Sequence, residues 1–238
     1  TQGNVGYALE YYGPGVETLS VPERATITNM GAELGVTTSV FPSDEETKAF
    51  LRAQDREHDW QPLAPDSEAT YDTVIEINLS DIEPLASCPS SPGNVKPVRE
   101  LMETPVSQVI IGSCTNSSLK DMTTVAKLLD GNHVAESTSL CIAPGSRQVL
   151  EMLAQDNSLE KMLSAGARIL ESACGPCIGQ AMSPASDTAT VRTFNRNFPG
   201  RTGAPGDQCY LVSPETAAAT ALKGTLTDPR SLEQSPHR

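Results

Sequence analysis

No run of apolar residues in this chain of 238 approaches the length needed to span a bilayer, and the N-terminus lacks the basic, apolar and small-residue succession of a secretory signal. These absences predict no membrane partner and an address in the bacterial cytoplasm or the mitochondrial matrix. Basic residues are scarce: 17 Lys and Arg stand against 30 Asp and Glu, a formal net charge of -13. Nucleic acid and anionic lipid carry the same sign, so neither is an expected partner, whereas small ligands remain open. Histidine is scarce too. His58, His133 and His237 lie scattered in polar surroundings, and none offers a fourth ligand for a closed zinc site. There is no internal repeat, and no initiating methionine. The chain starts at Thr1 and passes almost at once into the apolar stretch 5–12, which predicts a piece of something longer.

What is present, 38% hydrophobic and 20% charged residues, suffices for a sizeable core in one or two domains. Residues 6–12 read as a strand-like run, 24–35 as a helix, and 44–52 as a helix capped by Ser43 with Asp44, Glu45 and Glu46 in its first turn. Residues 71–79 alternate as a strand would. Pro84, Pro89, Pro92, Pro97 and Pro105, interspersed with serines, then give linker composition. From residue 106 short apolar runs (106–112, 139–143, 168–172, 190–194, 210–212) alternate with amphipathic segments (119–129, 147–155, 159–165, 214–222). That alternation predicts an α/β fold with a mainly parallel sheet and helices packed on its faces. The expected organisation is one α/β unit over 1–85, a connection over 86–105, a second α/β unit over 106–227 and a linker stub or tail over 228–238.

Six cysteines in a chain with no export signal read as thiols and metal ligands, not as a disulfide framework. In Cys174-Gly175-Pro176-Cys177 a tight turn can aim both sulfurs at one metal or cluster, although a redox pair or half a zinc site would look similar. Cys174 ends one apolar run, and Cys114 ends another, Val109-Ile110-Ile111-Gly112-Ser113. Both therefore fall where strands of a parallel sheet finish, the edge at which such sheets collect ligands. Cys114 also precedes a helix expected to begin near Ser117 or Ser118, whose unpaired N–H groups favour a thiolate. Taken alone, Cys114 would read as a small buried hydrophobe. Cys88, Cys141 and Cys209 have no neighbouring ligand and read as structural. A cluster normally takes four thiolates; three would leave one iron open to act as a Lewis acid on a hydroxyl and a carboxylate.

A second concentration places Arg192, Arg196 and Arg201 within ten positions of an otherwise acidic chain. Arginine offers bidentate, permanently charged donors to carboxylates. The plainer alternative is that these are surface arginines pairing with the excess of acids.

Three segments, Gly112-Ser113-Cys114-Thr115-Asn116-Ser117, Ala173-Cys174-Gly175-Pro176-Cys177-Ile178-Gly179-Gln180 and Asn195-Arg196-Asn197-Phe198-Pro199-Gly200-Arg201, resemble in sequence and in order the motifs of the aconitase superfamily. That superfamily includes aconitate hydratase, homoaconitase and the large subunit of isopropylmalate dehydratase. The stretches 12–16, 27–42 and 74–80 are most similar to aconitate hydratases, and the resemblance covers about residues 6–225. It implies three-layer α/β domains and a 4Fe-4S cluster ligated by Cys114, Cys174 and Cys177. It also implies a tricarboxylate substrate, citrate or isocitrate, bound at the remaining iron, as in the tricarboxylic acid cycle. Asn195 would support the cluster, and Arg196 and Arg201 would hold substrate carboxylates. Asn29 and Glu33 would sit beside the cluster, Glu33 hydrogen-bonding near the substrate hydroxyl; from the residues alone these two read as an exposed cap and a solvated helix residue. Homoaconitase and isopropylmalate dehydratase are the alternatives, and a non-catalytic zinc or iron-sulfur module is the alternative of another class. Family members also draw histidines and acids from an earlier domain and a proton-removing serine from a later one. No segment here matches either, so the chain alone is expected to bind the cluster poorly and to turn over little substrate.

Overall fold

A computed structural model describes residues 4–232. The chain divides after Ile82 into two compact units, each with its own elements.

In the first unit β1 (Ala8–Glu10) pairs in parallel with β2 (Thr38–Val40), and between them runs α1 (Val21–Leu34). The start of α1 is fixed chemically. The Ser20 backbone N–H and hydroxyl both donate to the Glu23 carboxylate, at 2.8 and 2.6 Å, and Pro22 occupies the first turn, where its missing N–H costs nothing. Gly35 ends the helix at φ +77°. Arg24, 4% exposed, joins α1 to α2 (Glu45–Ala53) through a two-pronged pair with Asp44 at 2.8 and 2.6 Å. It also donates to the carbonyls of Val16, Leu19 and Pro42, so the buried guanidinium is paired as burial of a charge requires.

Two expectations fail in this unit. Ser43 does not cap α2: Asp44, pinned by Arg24 at the helix entrance, accepts from the Thr47 N–H at 3.2 Å, while the Ser43 hydroxyl donates to the Gln61 carbonyl. Residues 71–78 form no strand. The alternation is present, but no ladder partner among the described residues meets it, and Ile75 stands 80% exposed.

The second unit is built on a seven-stranded sheet in the order β4-β3-β9-β8-β5-β6-β7. Its strands are β3 (Leu85–Ser87), β4 (Val95–Pro97), β5 (Gln108–Gly112), β6 (Ser139–Ala143), β7 (Arg168–Ile169), β8 (Ala189–Arg192) and β9 (Gln208–Leu211). Neighbours from β9 to β7 are parallel, while β3 pairs antiparallel with both β4 and β9. The α/β expectation therefore holds. The segment 86–105 is not a free connection, because its two strands close one edge of the sheet, with Pro97 on the outermost strand where its missing donor is harmless. Nor is 228–232 a loose stub. Asp228 is buried, accepts from the Arg230 backbone and side chain, and starts a short 3-10 turn. The rest of the expected tail, 233–238, lies outside the described residues.

Handedness dictates what covers each face. Parallel crossovers are right-handed, so β5-β6-β7, progressing one way, carries its helices on one side of the sheet. Those are α3 (Leu119–Leu129), α4 (Arg147–Gln155) and α5 (Ser158–Ser164), joined by α6 (Pro214–Lys223) after β9. They bury Val109, Ile111, Leu140, Ile142 and Val191. The order then reverses across β5, and the β7-to-β8 connection passes over the other face, where Ile110, Cys141, Cys209 and Leu211 meet Met182 and Phe194. β5 and β8 are thus adjacent strands whose connections diverge to opposite faces, the topological switch at which ligands of such sheets collect.

Candidate functional site

All three motifs lie at the carboxyl edge of this sheet, after β5, β7 and β8. β5 ends at Gly112 with φ +139°, and any side chain there would strike the Ala143 carbonyl of β6. Only glycine permits that approach. The following loop is fastened to the end of β8: the Gly112 N–H donates to the Thr193 hydroxyl at 2.8 Å, that hydroxyl donates to the Gly112 carbonyl at 3.2 Å, and the Asn116 amide donates to the Thr193 carbonyl at 2.9 Å. Cys114 stands exposed between these anchors. Ser118 then caps α3 reciprocally with Asp121, at the position expected.

Cys174 and Cys177 belong to the β7-to-β8 connection, on a short 3-10 turn over Gly175–Ile178. The Cys177 N–H donates to the Cys174 carbonyl at 3.1 Å and the Gln180 N–H to the Gly175 carbonyl at 2.9 Å. Gly179, at φ +81°, closes the turn, and a side chain there would overlap the Thr202 carbonyl of the arginine segment. Arg201 from that segment donates through Nη2 to the Cys177 sulfur at 3.3 Å. The Arg201 Nε is buried and without a partner.

Exposure separates the cysteines into two sets. Cys114 and Cys174 are exposed and Cys177 is half-buried, whereas Cys88, Cys141 and Cys209 are buried. Burial pushes all three of the latter thiols up, Cys209 to about 12, so they are protonated at neutral pH.

The expected residues are brought together in part. Cys177 and Arg201 touch; Asn195 is buried and Arg196 half-buried on the loop that follows β8. Asn29 and Glu33 lie a turn apart on one side of α1, in the first unit, with Glu33 buried rather than solvated. Three residues act on the site in ways the sequence did not show. Thr193 clasps the Cys114 loop. Asn197 donates to the Ser87, Cys88 and Cys209 carbonyls, tying the arginine segment to β3 and β9. Arg192, grouped by the sequence with carboxylate binders, is 1% exposed and donates through Nη1 and Nη2 to the Pro176 and Met182 carbonyls on either side of Cys177. The readable signal was a charge inside an apolar strand run, which must find partners indoors.

Among the described residues no three Cys, His, Asp or Glu side chains converge as a single ion requires. A four-iron cubane takes its thiolates at separate corners, and three thiols from two loops with a guanidinium against one of them fit such an anionic, thiolate-held group.

A mainly parallel α/β sheet carrying thiol and arginine loops at its switch point defines the class. The model of the family described as aconitase family (aconitate hydratase) matches residues 1–107 and 98–224, and the chain belongs to the aconitase family. It is 40% identical over 226 residues to 3-isopropylmalate dehydratase large subunit 1 of Thermotoga maritima, covering 94% of this chain and 54% of that protein. It is equally 40% identical, over 226 residues, to the probable methanogen homoaconitase large subunit of Methanosarcina mazei, covering 94% and 57%. A third relative, 3-isopropylmalate dehydratase large subunit 1 of Methanopyrus kandleri, is 40% identical over 224 residues. The chain spans about half the length of the curated relatives it matches. Isopropylmalate dehydratase large subunits of this family carry a 4Fe-4S cluster. These names overturn the expectation of an aconitate hydratase, and with it that of a tricarboxylic-acid-cycle reaction. The expectation rested on the stretches 12–16, 27–42 and 74–80, whose likeness to aconitate hydratases did not identify the substrate.

Proposed function

We propose that this chain is the cluster-bearing half of a hydro-lyase of the isopropylmalate dehydratase or homoaconitase kind, acting on a hydroxy di- or tricarboxylate. The observation that carries this is the 40% identity, over 94% of the chain, to large subunits with those names. Cys114, Cys174 and Cys177 would hold the 4Fe-4S cluster. When bound it supplies a Lewis acid with one iron not held by thiolate. The remaining work falls to side chains. Arg201, whose Nη2 already lies against the Cys177 sulfur, would hold a substrate carboxylate beside the cluster. Arg196, half-buried on the same loop, would neutralise a substrate carboxylate, and the buried Asn195 beside it would support the cluster. Asn29 and Glu33, one turn apart, would orient the departing hydroxyl by hydrogen bonding. The base that removes the proton, and a small subunit to complete the pocket, are partners of this half.

The test is a rate comparison with the complete enzyme on 3-isopropylmalate, homocitrate and citrate. Preference for either of the first two supports the proposal. A kcat/KM for citrate above both overturns it.

A further inference from the structure

We propose that Arg192 is the positioning residue of the cysteine turn. Its guanidinium donates through Nη1 to the Pro176 carbonyl at 2.8 Å and through Nη2 to the Met182 carbonyl at 3.2 Å. The peptide from Cys177 to Ala181 is therefore strung between two points held by one rigid fork. The fork is itself fixed: β8 plants it, the Gln108 side-chain oxygen of neighbouring β5 accepts at 3.4 Å, and its face lies over the Phe194 ring at 5.5 Å. Arg192 thus connects the strand before the arginine loop, the strand before Cys114 and the turn that bears Cys174 and Cys177.

Filling space does not account for this residue. A guanidinium 1% exposed loses its hydration, and its hydrogen-bond partners are neutral oxygens, not a carboxylate. An apolar side chain would fill the volume without that penalty but would leave the Pro176 and Met182 carbonyls unheld. Lysine, a single point charge on a flexible stem, lacks the planar fork that meets both carbonyls in fixed geometry. The arrangement is suited to keeping two loops in fixed register whether or not a cluster is bound, which is what preorganisation of its thiolates demands.

The inference rests on the reading that Cys174 and Cys177 are cluster ligands, and the test separates the two. In the metal-free chain, amide hydrogen exchange is followed at Cys177 and Gln180 in the turn and at Val125 in α3, for the wild type and for Arg192→Met, Arg192→Lys and Gln108→Leu. A brace predicts exchange faster by about tenfold or more at the turn amides of Arg192→Met with Val125 unchanged, partial rescue in Arg192→Lys, and a smaller effect in Gln108→Leu. After anaerobic reconstitution with iron and sulfide, the visible absorbance of Arg192→Met decays under chelator about tenfold faster or more. Turn amides that exchange as in the wild type, or that rise only in step with Val125, overturn the brace. If Arg192→Met does not fold, Gln108→Leu decides by the same comparison. A wild-type chain that takes up no iron and sulfide defeats the cluster reading, while the exchange result still judges Arg192.

Discussion

Thr193→Val tests whether the Cys114 loop is held by the clasp described above. Thr193 is fully buried, and its hydroxyl both accepts from the Gly112 N–H and donates to the Gly112 carbonyl. Valine keeps the shape and deletes the hydroxyl, so the dominant effect is a backbone donor and acceptor left unpaired, not a cavity. Each buried unpaired group costs about 1–3 kcal/mol, and some relaxation of the loop is expected, so about 2 kcal/mol is the working figure. For a cooperative unit of this size that corresponds to a melting temperature roughly 4–8 °C lower. Differential scanning calorimetry of the metal-free chain measures it. Thr193→Ser, which keeps the hydroxyl and loses a methyl, should fall by less than half as much. A Thr193→Val variant melting within about 1 °C of the wild type would refute the reasoning, because no unpaired group costs so little. So would Thr193→Ser falling as far as Thr193→Val.

The Arg24 hydrogen bonds hold the Asp44 carboxyl below its usual range, so the pair stabilises the first unit above the ordinary carboxylate pKa and that contribution fades as pH falls through the lowered value. Urea melts of wild type and Asp44→Asn should differ by about 2 kcal/mol at neutral pH and converge below about pH 4; a constant difference down to pH 3 contradicts the pairing. Gly179→Ala should lower the melting temperature and speed cluster loss, because a methyl meets the Thr202 carbonyl at a left-handed backbone; wild-type behaviour in both assays would show that the turn is not so constrained. Alkylation of the folded, metal-free chain, located by mass spectrometry, should mark Cys114 and Cys174 quickly and Cys177 more slowly. Cys88, Cys141 and Cys209 should react only after unfolding, and labelling of Cys209 at the Cys114 rate contradicts its burial and raised pKa.

The second unit was legible because its elements announce themselves locally. The segments 119–129 and 147–155 are amphipathic with a serine immediately before each, and α3 and α4 have those bounds. The carboxyl-edge placement of Cys114 and Cys174 followed from the same alternation. What stayed hidden depends on partners distant in sequence. Residues 71–79 carry a strand pattern without a ladder to join, while the proline-rich stretch, which looked like linker, pairs with itself and with β9. Arg192 and Asn197 look like more members of a basic, polar loop, yet their hydrogen bonds reach back 16 and 110 residues. The substrate was misread from the stretches 12–16, 27–42 and 74–80, none of which carries the cysteine and arginine motifs where the chemistry is expected.

Anaerobic reconstitution of the metal-free chain with ferrous iron and sulfide, followed by visible absorbance with iron, sulfide and zinc analysis, tests the central claim most directly. It should be run on each single Cys→Ser variant. The account predicts iron and sulfide taken up together by the wild-type chain at low occupancy, loss of the absorbance in the variants of Cys114, Cys174 and Cys177, and its retention in those of Cys88, Cys141 and Cys209. Zinc bound without sulfide, or a cluster that survives replacement of Cys174 and Cys177 alike, would contradict it.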